Sequence, residues 1–507
     1  MDGHQSDWKR DLIRKPWFDQ LKSTQIALLL CMVATGLLTG CDRQTTSKPA
    51  APNIVLVVID TLRADHLGCN DYFRDTSPNI DAFVRESVSF KQAYTPMSTT
   101  LPAHTSLFTG LYPLEHGILA NLVSSEKPFR SRPGARSIVE LFKENGYTTG
   151  AVVSSTPMKR ASGLDAGFSF YDQPERDFRT AAGTNLVALR WLDNHGKSPF
   201  FLFVHYFDPH TPYIPPSPYD RMFRNEIGLD AYLAQRAVSD MVAPGPCTGS
   251  APTYARRATN LYDGEIRYCD EHVGRLFDAL RERGLWDNSV IILLSDHGEG
   301  LNQHSWPQHG RTWDEQSQIL MALHMPGIEP RTFSPLVSIM DVFPTVLAYC
   351  GFPWASSFQM QAVGTDVLAP DFRERAVLTQ RSGRYCEELD GSTLYALTTP
   401  QWRFHYTPGK ELLLFDRVSD PYELHDVAKD HRGEVENLTR DTENLVTQLK
   451  QHGEELFIEI ESPALDSQWR KDMEALGYVD LEKPPTTKPS SAPASSPTTK
   501  PERQPNP

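Results

Sequence analysis

The chain has 507 residues, of which 39% are hydrophobic, so it is too long for one ordinary domain and too apolar to be disordered along most of its length. Its 50 Lys and Arg against 64 Asp and Glu give a net charge of −14. This balance argues against nucleic acid as the main partner, because binding to a phosphate backbone needs basic patches. A mean hydropathy of −0.42 excludes a polytopic membrane protein. Of seven Cys, Cys31 and Cys41 lie near the N-terminus, and the others are too scattered for a disulfide scaffold or a Cys-based zinc module.

The N-terminal segment has the pattern of an export signal. Basic residues between Lys9 and Lys22 precede an apolar run from Ile26 to Leu38, which suits a signal-peptide core but is short for a membrane span. The run ends in Leu38-Thr39-Gly40-Cys41, which resembles a bacterial lipobox, in which the Cys becomes the acylated N-terminus. We therefore predict a lipoprotein signal peptide over 1–41, a tether over 42–51, and an exported protein that is lipid-anchored in the bacterial cell envelope, at the periplasmic face or the outer surface. An uncleaved signal anchor, or cleavage elsewhere, is the alternative.

Three apolar, β-branched runs predict strands buried on both faces of a parallel sheet, at Asn53–Ile59, 199–204 and 289–294. A stretch with helical periodicity over 266–280 runs into Gly284 as a C-cap. These elements predict an α/β domain over 52–371, with a largely parallel central sheet flanked by helices. Shorter strand and turn signals predict a small α+β subdomain over 372–480. The Pro, Ser and Thr of 481–507 predict a disordered tail.

Polar residues follow each of the three predicted strands: Asp60, then His205, Asp208 and His210, then Asp296 and His297. Ligands of open α/β sheets bind at the carboxyl ends of the strands, so these residues predict one shared site. Taken alone, Asp60 could also be a helix N-cap, and Asp296-His297 could be a turn-capping Asp beside an exposed His. The Gly298 that follows allows the backbone to approach closely.

The segment Thr99 to Pro113 predicts a further helix near this site. Pro102 suits the first turn of a helix, which places Thr100 near its N-terminus. A hydroxyl there feels the positive end of the helix, which favours an alkoxide and a nearby anion. The alternative is a Thr that only caps the helix.

Several ordered blocks of the chain resemble the sulfatase family of the alkaline phosphatase superfamily. They include NIVLVVIDTLRADHLG, TSPNIDAF, SLFTGLYPLEHG, FLFVHYFDPHTPY, IILLSDHGEGLNQH and ELLLFDRVSDPYELHDVA, from about Asn53 to the region of Asp420. The resemblance implies an alkaline-phosphatase-like fold and a metal-dependent hydrolase acting on sulfate or phosphate esters.

The chain departs from this family at the catalytic motif. Sulfatases carry Cys or Ser followed by x-Pro-x-Arg, and that Cys or Ser is oxidised to formylglycine; here Thr100 stands at the Cys position and His104 at the Arg. Oxidation of a Thr side chain would give a ketone, so the usual aldehyde hydrate cannot form. Thr-x-Pro-x-His is instead similar to the nucleotide pyrophosphatase/phosphodiesterases, in which the threonine itself attacks phosphorus. The resemblance therefore implies Thr100 as the nucleophile and favours phosphoesters, phosphodiesters above all.

The resemblance also implies a ligand set for a divalent metal ion. Asp60, Asp296 and His297 match metal ligands of the superfamily, with the Thr100 oxygen completing the sphere. An imidazole among oxygen ligands favours Zn²⁺ or Mn²⁺, with Ca²⁺ or Mg²⁺ as alternatives. Thr61, where sulfatases commonly hold a second Asp, weakens an all-oxygen calcium site further.

Further residues receive catalytic or substrate-binding roles from the resemblance. His210 lies where the family places a His that protonates the leaving oxygen, and His309 lies close to a family Lys that contacts the anionic ester. We expect His104 and Arg63 to bind substrate, although Arg63 could equally be a surface charge. Asp208, His210 and His309 could instead hold a second metal ion.

The predicted substrate is a small anionic ester or a sulfated or phosphorylated glycan or lipid. Three other functions stay open at this point. The first is a true sulfuric ester hydrolase that uses another mechanism, and the second is an envelope transferase of the phosphoglycerol or phosphoethanolamine type. The third is a non-catalytic binding protein.

Overall fold

A computed structural model describes residues 51–122, 128–132, 134–197, 199–224, 228–238, 251–383 and 394–456. The predicted signal peptide, the tether up to residue 50, the end of the C-terminal subdomain and the predicted tail lie outside the described residues.

The described residues form thirteen strands and eleven α-helices. The strands are β1 Asn53–Ile59, β2 Val88–Tyr94, β3 Thr148–Val152, β4 Phe170–Asp172, β5 Phe200–Tyr206, β6 Ser289–Ser295, β7 Gln318–Ile319, β8 Met321–His324, β9 Arg331–Ser338, β10 Val377–Gln380, β11 Tyr395–Thr398, β12 Trp402–Tyr406 and β13 Leu413–Asp416. The helices are α1 Pro78–Arg85, α2 Thr100–Thr109, α3 Pro113–His116, α4 Ile138–Glu144, α5 Ala181–His195, α6 Leu229–Gln235, α7 Ala251–Glu282, α8 Asp314–Ser317, α9 Val342–Cys350, α10 Ala355–Gln359 and α11 Arg432–Leu456.

The three predicted buried strands lie side by side at the centre of the main sheet. β1 pairs in parallel with β5 on one side and with β6 on the other. Every residue of the three strands is buried, which explains why their sequences are continuously apolar and do not alternate. Alternate residues of β1 pack into two separate hydrophobic cores, one on each face of the sheet. The prediction of doubly covered parallel strands is confirmed.

The main sheet has nine strands in the order β4-β3-β5-β1-β6-β8-β2-β7, and β9 also pairs with β2. Five of its pairings are parallel and three are antiparallel, so the expected largely parallel character is confirmed. The long helix α7 buries Ile266, Cys269 and Val273 against the sheet and begins well before the predicted segment. Gly284 follows it with a positive φ of 65°, as a C-terminal glycine should.

A second sheet of four antiparallel strands, β10-β11-β12-β13, forms the C-terminal part together with α11. Leu378, Leu397 and Phe404 of this sheet belong to the same hydrophobic core as one face of β1. The buried Arg403 donates hydrogen bonds to the backbone oxygen of Thr312 and to Ser317, in the segment that follows β6. This arrangement is the predicted small α+β subdomain.

Within the described ranges, no helix combines the length and the apolar character needed to cross a bilayer. No disulfide joins Cys69, Cys269 and Cys350, the three cysteines among the described residues.

Candidate active site

The candidate active site lies where the three central strands end. The register pairs Ile59 of β1 with Tyr206 of β5 and with Ser295 of β6. Asp60, His205 and Asp296, each one residue away from one of these, therefore converge at the carboxyl edge of the sheet. All three side chains are fully buried.

Asp296 is held by one carboxylate oxygen, which leaves the other oxygen available to a ligand. Its Oδ1 accepts hydrogen bonds from the backbone N–H of Thr61 at 3.2 Å and of His297 at 2.8 Å. Its Oδ2 has no hydrogen-bond partner among the described residues. Thr61 has a left-handed backbone conformation with φ 54°, which is strained for a β-branched residue. The Tyr262 hydroxyl holds this conformation by a 2.6 Å hydrogen bond to the Thr61 carbonyl oxygen. The strained backbone of Thr61 therefore directs its N–H to the Asp296 carboxylate and holds it in place.

His297 directs the lone pair of one ring nitrogen toward the carboxylates of Asp60 and Asp296. Its Nδ1 donates to the backbone oxygen of Gly298 at 2.9 Å, so its Nε2 is the unprotonated nitrogen of the neutral ring. Nε2 lies 3.8 Å from Asp60 Oδ1 and 3.6 Å from Asp296 Oδ2. Ligand atoms of a tetrahedral ion with bonds of ~2.1 Å lie about 3.4 Å apart. A Cβ at Gly298 would lie 2.1 Å from the Glu315 carbonyl oxygen, so the close approach predicted for this glycine is confirmed.

We name Asp60, Asp296 and His297 the first cation site, because one ligand atom of each lies within 4.8 Å of the others. Neither oxygen of Asp60 has a hydrogen-bond partner in the described part of the chain. Burial raises the pKa of Asp60 to about 8, although His309 opposes the rise. Burial, and then the charge of Asp60, raise the pKa of Asp296 well above its usual range. A divalent cation would supply the missing positive charge and keep both carboxylates ionised.

Thr100 lies at the start of α2, as Pro102 predicts. Its side chain is fully buried, and its Oγ1 has no hydrogen-bond partner among the described residues. The Thr100 carbonyl oxygen accepts a 2.8 Å hydrogen bond from His104 Nδ1, and this nitrogen is 3.7 Å from Asp296 Oδ2. The first turn of α2 is thereby brought against the first cation site.

Asn121 is a candidate that the sequence does not reveal, because it lies in a loop without a recognisable motif. Its Oδ1 accepts a 2.8 Å hydrogen bond from the backbone N–H of Leu101, next to Thr100. Its Nδ2 is buried and has no partner in the described part of the chain. Asn121 therefore holds the start of α2 with one end of its amide and offers a donor with the other.

His210 and His309 lie together with His297. The ring centroids of His210 and His309 are 5.2 Å apart, and those of His297 and His309 are 4.6 Å apart. His210 Nδ1 donates to the Thr211 carbonyl oxygen at 2.5 Å, and His309 Nδ1 lies 3.3 Å from Glu299 Oε1. Burial, and then the charge of His309, lower the pKa of His210 well below its usual range.

The structure corrects the expectation that Asp208 joins His210 and His309 in a metal site. Asp208 Oδ2 accepts a 2.7 Å hydrogen bond from the backbone N–H of Ala181, at the start of α5. Burial, and then the charge of Asp208, raise the pKa of Glu265. Asp208 is therefore engaged by the start of α5, and among the described residues it belongs to no group of three potential metal ligands within 4.8 Å of one another.

The expected role of Arg63 in anion binding is corrected for a similar reason. Its guanidinium donates to both carboxylate oxygens of Asp65, to Gln303 Oε1 and to the backbone oxygens of Glu299 and Gly300. Only 2% of Arg63 is exposed. Every donor is thus occupied, and Arg63 fixes the loop that follows β6.

His104 and His205 face each other beside the first cation site. Their ring centroids are 5.2 Å apart, and His205 Nε2 lies 3.5 Å from Asp60 Oδ2. His104, which the motif suggested as a substrate-binding residue, is fully buried and also lies against the ring of Phe203. The sequence placed His205 in the shared site, because it follows the second predicted strand, but gave it no individual role.

The chain is similar to known proteins over most of its described length. A family model described as Sulfatase matches residues 52–352. An endo-4-O-sulfatase of Bacteroides thetaiotaomicron is 26% identical over 494 residues, covering 81% of this chain and 95% of that protein. The multifunctional alkaline phosphatase superfamily protein PehA of Trinickia caryophylli is 24% identical, covering 75% of this chain and 91% of that protein. A phosphonate monoester hydrolase of Agrobacterium radiobacter has a similar fold, with a TM-score of 0.61 and 21% identity over 79% of this chain and 96% of that one.

Proposed function

Since the chain belongs to the sulfatase family of ester hydrolases, we propose that it is a metal-dependent enzyme that hydrolyses phosphate esters, phosphodiesters above all, with Thr100 as the nucleophile. One observation carries the proposal. The Thr100 hydroxyl is fully buried without a partner among the described residues, on a helix start whose His104 lies against Asp296 of the first cation site.

The first cation site fits a divalent ion by its donors. Both oxygens of Asp60 and Oδ2 of Asp296 have no hydrogen-bond partner among the described residues. With the neutral imidazole of His297, and the Thr100 oxygen as a fourth ligand, they favour Zn²⁺ or Mn²⁺ over Ca²⁺ or Mg²⁺. When bound, such an ion supplies positive charge that lowers the pKa of the Thr100 hydroxyl and neutralises the ester oxygens.

The chain's own groups orient the attack. The positive end of α2 favours an anion at Thr100, because the N-terminal N–H groups of a helix are incompletely paired. Asn121 Nδ2, which has no partner among the described residues, donates a hydrogen bond to a nonbridging oxygen of the ester. Thr100, after its hydroxyl has lost its proton to solvent, then attacks phosphorus in line with the leaving oxygen, and the bond from phosphorus to that oxygen breaks.

His210 assists the leaving group. Its Nδ1–H is held by the Thr211 carbonyl oxygen, so the proton is transferred at Nε2. Burial and His309 keep the pKa of His210 low in the free enzyme. An anionic ester beside the ring raises the pKa of His210, so His210 becomes a proton donor only when substrate is bound.

Release of the covalent ester explains the preference for phosphorus. A formylglycine hydrate can expel sulfate by collapsing to the aldehyde, but a Thr100 ester has no such exit. Water must therefore attack the central atom, which phosphorus accepts readily in a second in-line displacement. His210, having given up its proton, is placed to accept one from that water.

A sulfuric ester is the second candidate substrate, because the relatives include an endo-4-O-sulfatase and an ulvan-active sulfatase of Formosa agariphila. These names support an anionic glycan ester as the substrate class for either chemistry. We further propose that the protein acts in the cell envelope, anchored through Cys41, where such glycans and phospholipid head groups are accessible.

The test compares three ester types on one protein. Purified full-length chain is stripped of metal, reloaded separately with Zn²⁺, Mn²⁺, Ca²⁺ or Mg²⁺, and assayed on aryl sulfate, aryl phosphate and aryl phosphodiester with the same leaving group. We expect the phosphodiester to be cleaved fastest, with Zn²⁺ or Mn²⁺. Thr100→Ala should lower turnover by several orders of magnitude and weaken metal binding only modestly.

Thr105→Ala is the matched control, because Thr105 is a buried threonine on the same helix whose hydroxyl donates to the Leu101 carbonyl oxygen. It should keep most of the activity. Faster cleavage of the aryl sulfate by the wild-type protein would favour the sulfuric ester, and equal activity in Thr100→Ala would remove Thr100 from the mechanism.

A further inference from the structure

A second group of ligands adjoins the first cation site. One ring nitrogen each of His104 and His205 and one carboxylate oxygen of Asp296 lie within 4.8 Å of one another. All three side chains are fully buried. They come from three different elements, since His104 lies on α2, His205 on β5 and Asp296 directly after β6.

The polar atoms of this group lack protein partners in the described part of the chain. They are His104 Nε2, both ring nitrogens of His205 and Asp296 Oδ2. Each buried polar atom left without a hydrogen bond costs about 1–3 kcal/mol. A fold does not accumulate several such costs at one point unless a ligand compensates them.

Asp60 connects the two groups. Its Oδ1 lies 3.8 Å from His297 Nε2, and its Oδ2 lies 3.5 Å from His205 Nε2. The two oxygens of one carboxylate thus point to two different sets of histidine ligands. Bridging carboxylates of this kind join the ions of two-metal sites, which lie about 3.5–4 Å apart.

The local charge also favours bound cations. Asp60 and Asp296 are fully buried, and among the described residues their ion-pair partners are all histidines. Two buried carboxylates without a permanent cation beside them need positive charge from bound ions to stay ionised.

We propose that His104, His205 and Asp296 form a second cation site that binds a divalent transition-metal ion, bridged by Asp60 to the ion of the first site. Two imidazoles and a carboxylate suit Zn²⁺, Mn²⁺ or Fe²⁺ and are poor ligands for Ca²⁺ and Mg²⁺. The inference rests on the proposed function only through Asp60 and Asp296, which both sites use. This second site replaces the predicted set around Asp208, which the fold commits elsewhere.

The proposal is tested by counting ions. The metal-free full-length chain is saturated with Zn²⁺, dialysed and analysed for bound zinc per chain. We expect two ions in the wild type, one in His205→Phe, one in His297→Ala and none in the double variant. His324→Phe, which removes a partly buried histidine ring packed on Trp286, is the matched control and should keep two.

One ion in both the wild type and His205→Phe would overturn the second site while leaving the proposed function intact. Two ions in His297→Ala would instead count against the first site and therefore against the proposed function. Titration of the wild type with Co²⁺, followed by visible absorption, provides an endpoint that needs no variant. An endpoint at one equivalent would also overturn the second site.

Discussion

Asn121 performs two tasks with the two ends of one amide, and substitutions can separate them. Its Oδ1 accepts the 2.8 Å hydrogen bond from the Leu101 N–H at the start of α2, and its Nδ2 is the buried donor assigned to the ester. Asn121→Ala removes both groups. Asn121→Asp keeps an acceptor for Leu101 and replaces the donor with a charged oxygen.

The two variants should therefore differ in stability, and both should lose activity. Loss of an acceptor at a helix start costs ~1 kcal/mol, so Asn121→Ala should lower the free energy of unfolding by about that amount. Asn121→Asp should lose less, because its carboxylate still faces the positive end of the helix. Loss of one donor to the transition state lowers turnover ~10²–10³-fold, and the Asp charge should add repulsion of an anionic ester.

Urea unfolding measures the first effect, and phosphodiester turnover at saturating metal measures the second. Ser106→Ala provides a control on the same helix, since Ser106 bonds to His116 and has no assigned role in catalysis. Turnover that falls only in proportion to the loss of stability, with Asn121→Asp as active as the wild type, would refute the assignment of Nδ2 to the ester.

Three further predictions test the metal, the ionisation of the fold and the anchor. Asp296→Ala should lose both bound metal and activity, and His297→Ala should lose part of the metal; unchanged metal content by elemental analysis would contradict this. Burial lowers the pKa of His304, but Glu315 and then Glu423 outweigh it and raise the pKa from 6.5 to about 9. His304 therefore stabilises the fold fully below pH 6.5, and this contribution disappears as the pH rises through about 9. His304→Gln should accordingly lose about 3 kcal/mol more of the free energy of unfolding at pH 6 than at pH 10, as measured by urea unfolding; a loss independent of pH would be inconsistent with this ionisation. Cys41→Ala should lose both fatty-acid labelling and membrane retention in a bacterial host, whereas equal labelling of the two proteins would exclude the anchor.

The parts of the fold that the sequence predicts are those set by local pattern. Continuous apolar runs identify β1, β5 and β6, because a strand covered on both faces has no solvent side that needs polar residues. Pro102 locates the first turn of α2, because a proline is tolerated there and not deeper in the helix. The polar residues that end these elements then identify the carboxyl edge of the sheet as the site.

Which polar residue at that edge faces the ligand depends on partners that are distant in sequence. Arg63 and Asp208 also follow β1 and β5 within a few residues, but Arg63 donates to Asp65, Gln303 and backbone oxygens, and Asp208 accepts from Ala181. Asp60 remains available only because no donor reaches it from the described residues. A single sequence does not reveal these long-range pairings, so it identifies the location of the site more reliably than its members.

The charges of the site explain why Thr61 and His104, the two departures from the sulfatase pattern, occur together. In the sequence resemblance, Thr61 aligns with a carboxylate and His104 with the guanidinium of the catalytic motif, so the two differences cancel in net charge. The source of the positive charge at the site does change, from a side chain to a proposed bound ion. An arginine is a permanent cation, whereas His104 and His205 are neutral, buried ligands without protein partners for their lone pairs among the described residues. The proposed nucleophile, Thr100, starts as a neutral hydroxyl and needs a cation close to its oxygen; in the proposed two-ion site, neutral histidines allow bound metal ions to supply that charge where the oxygen loses its proton.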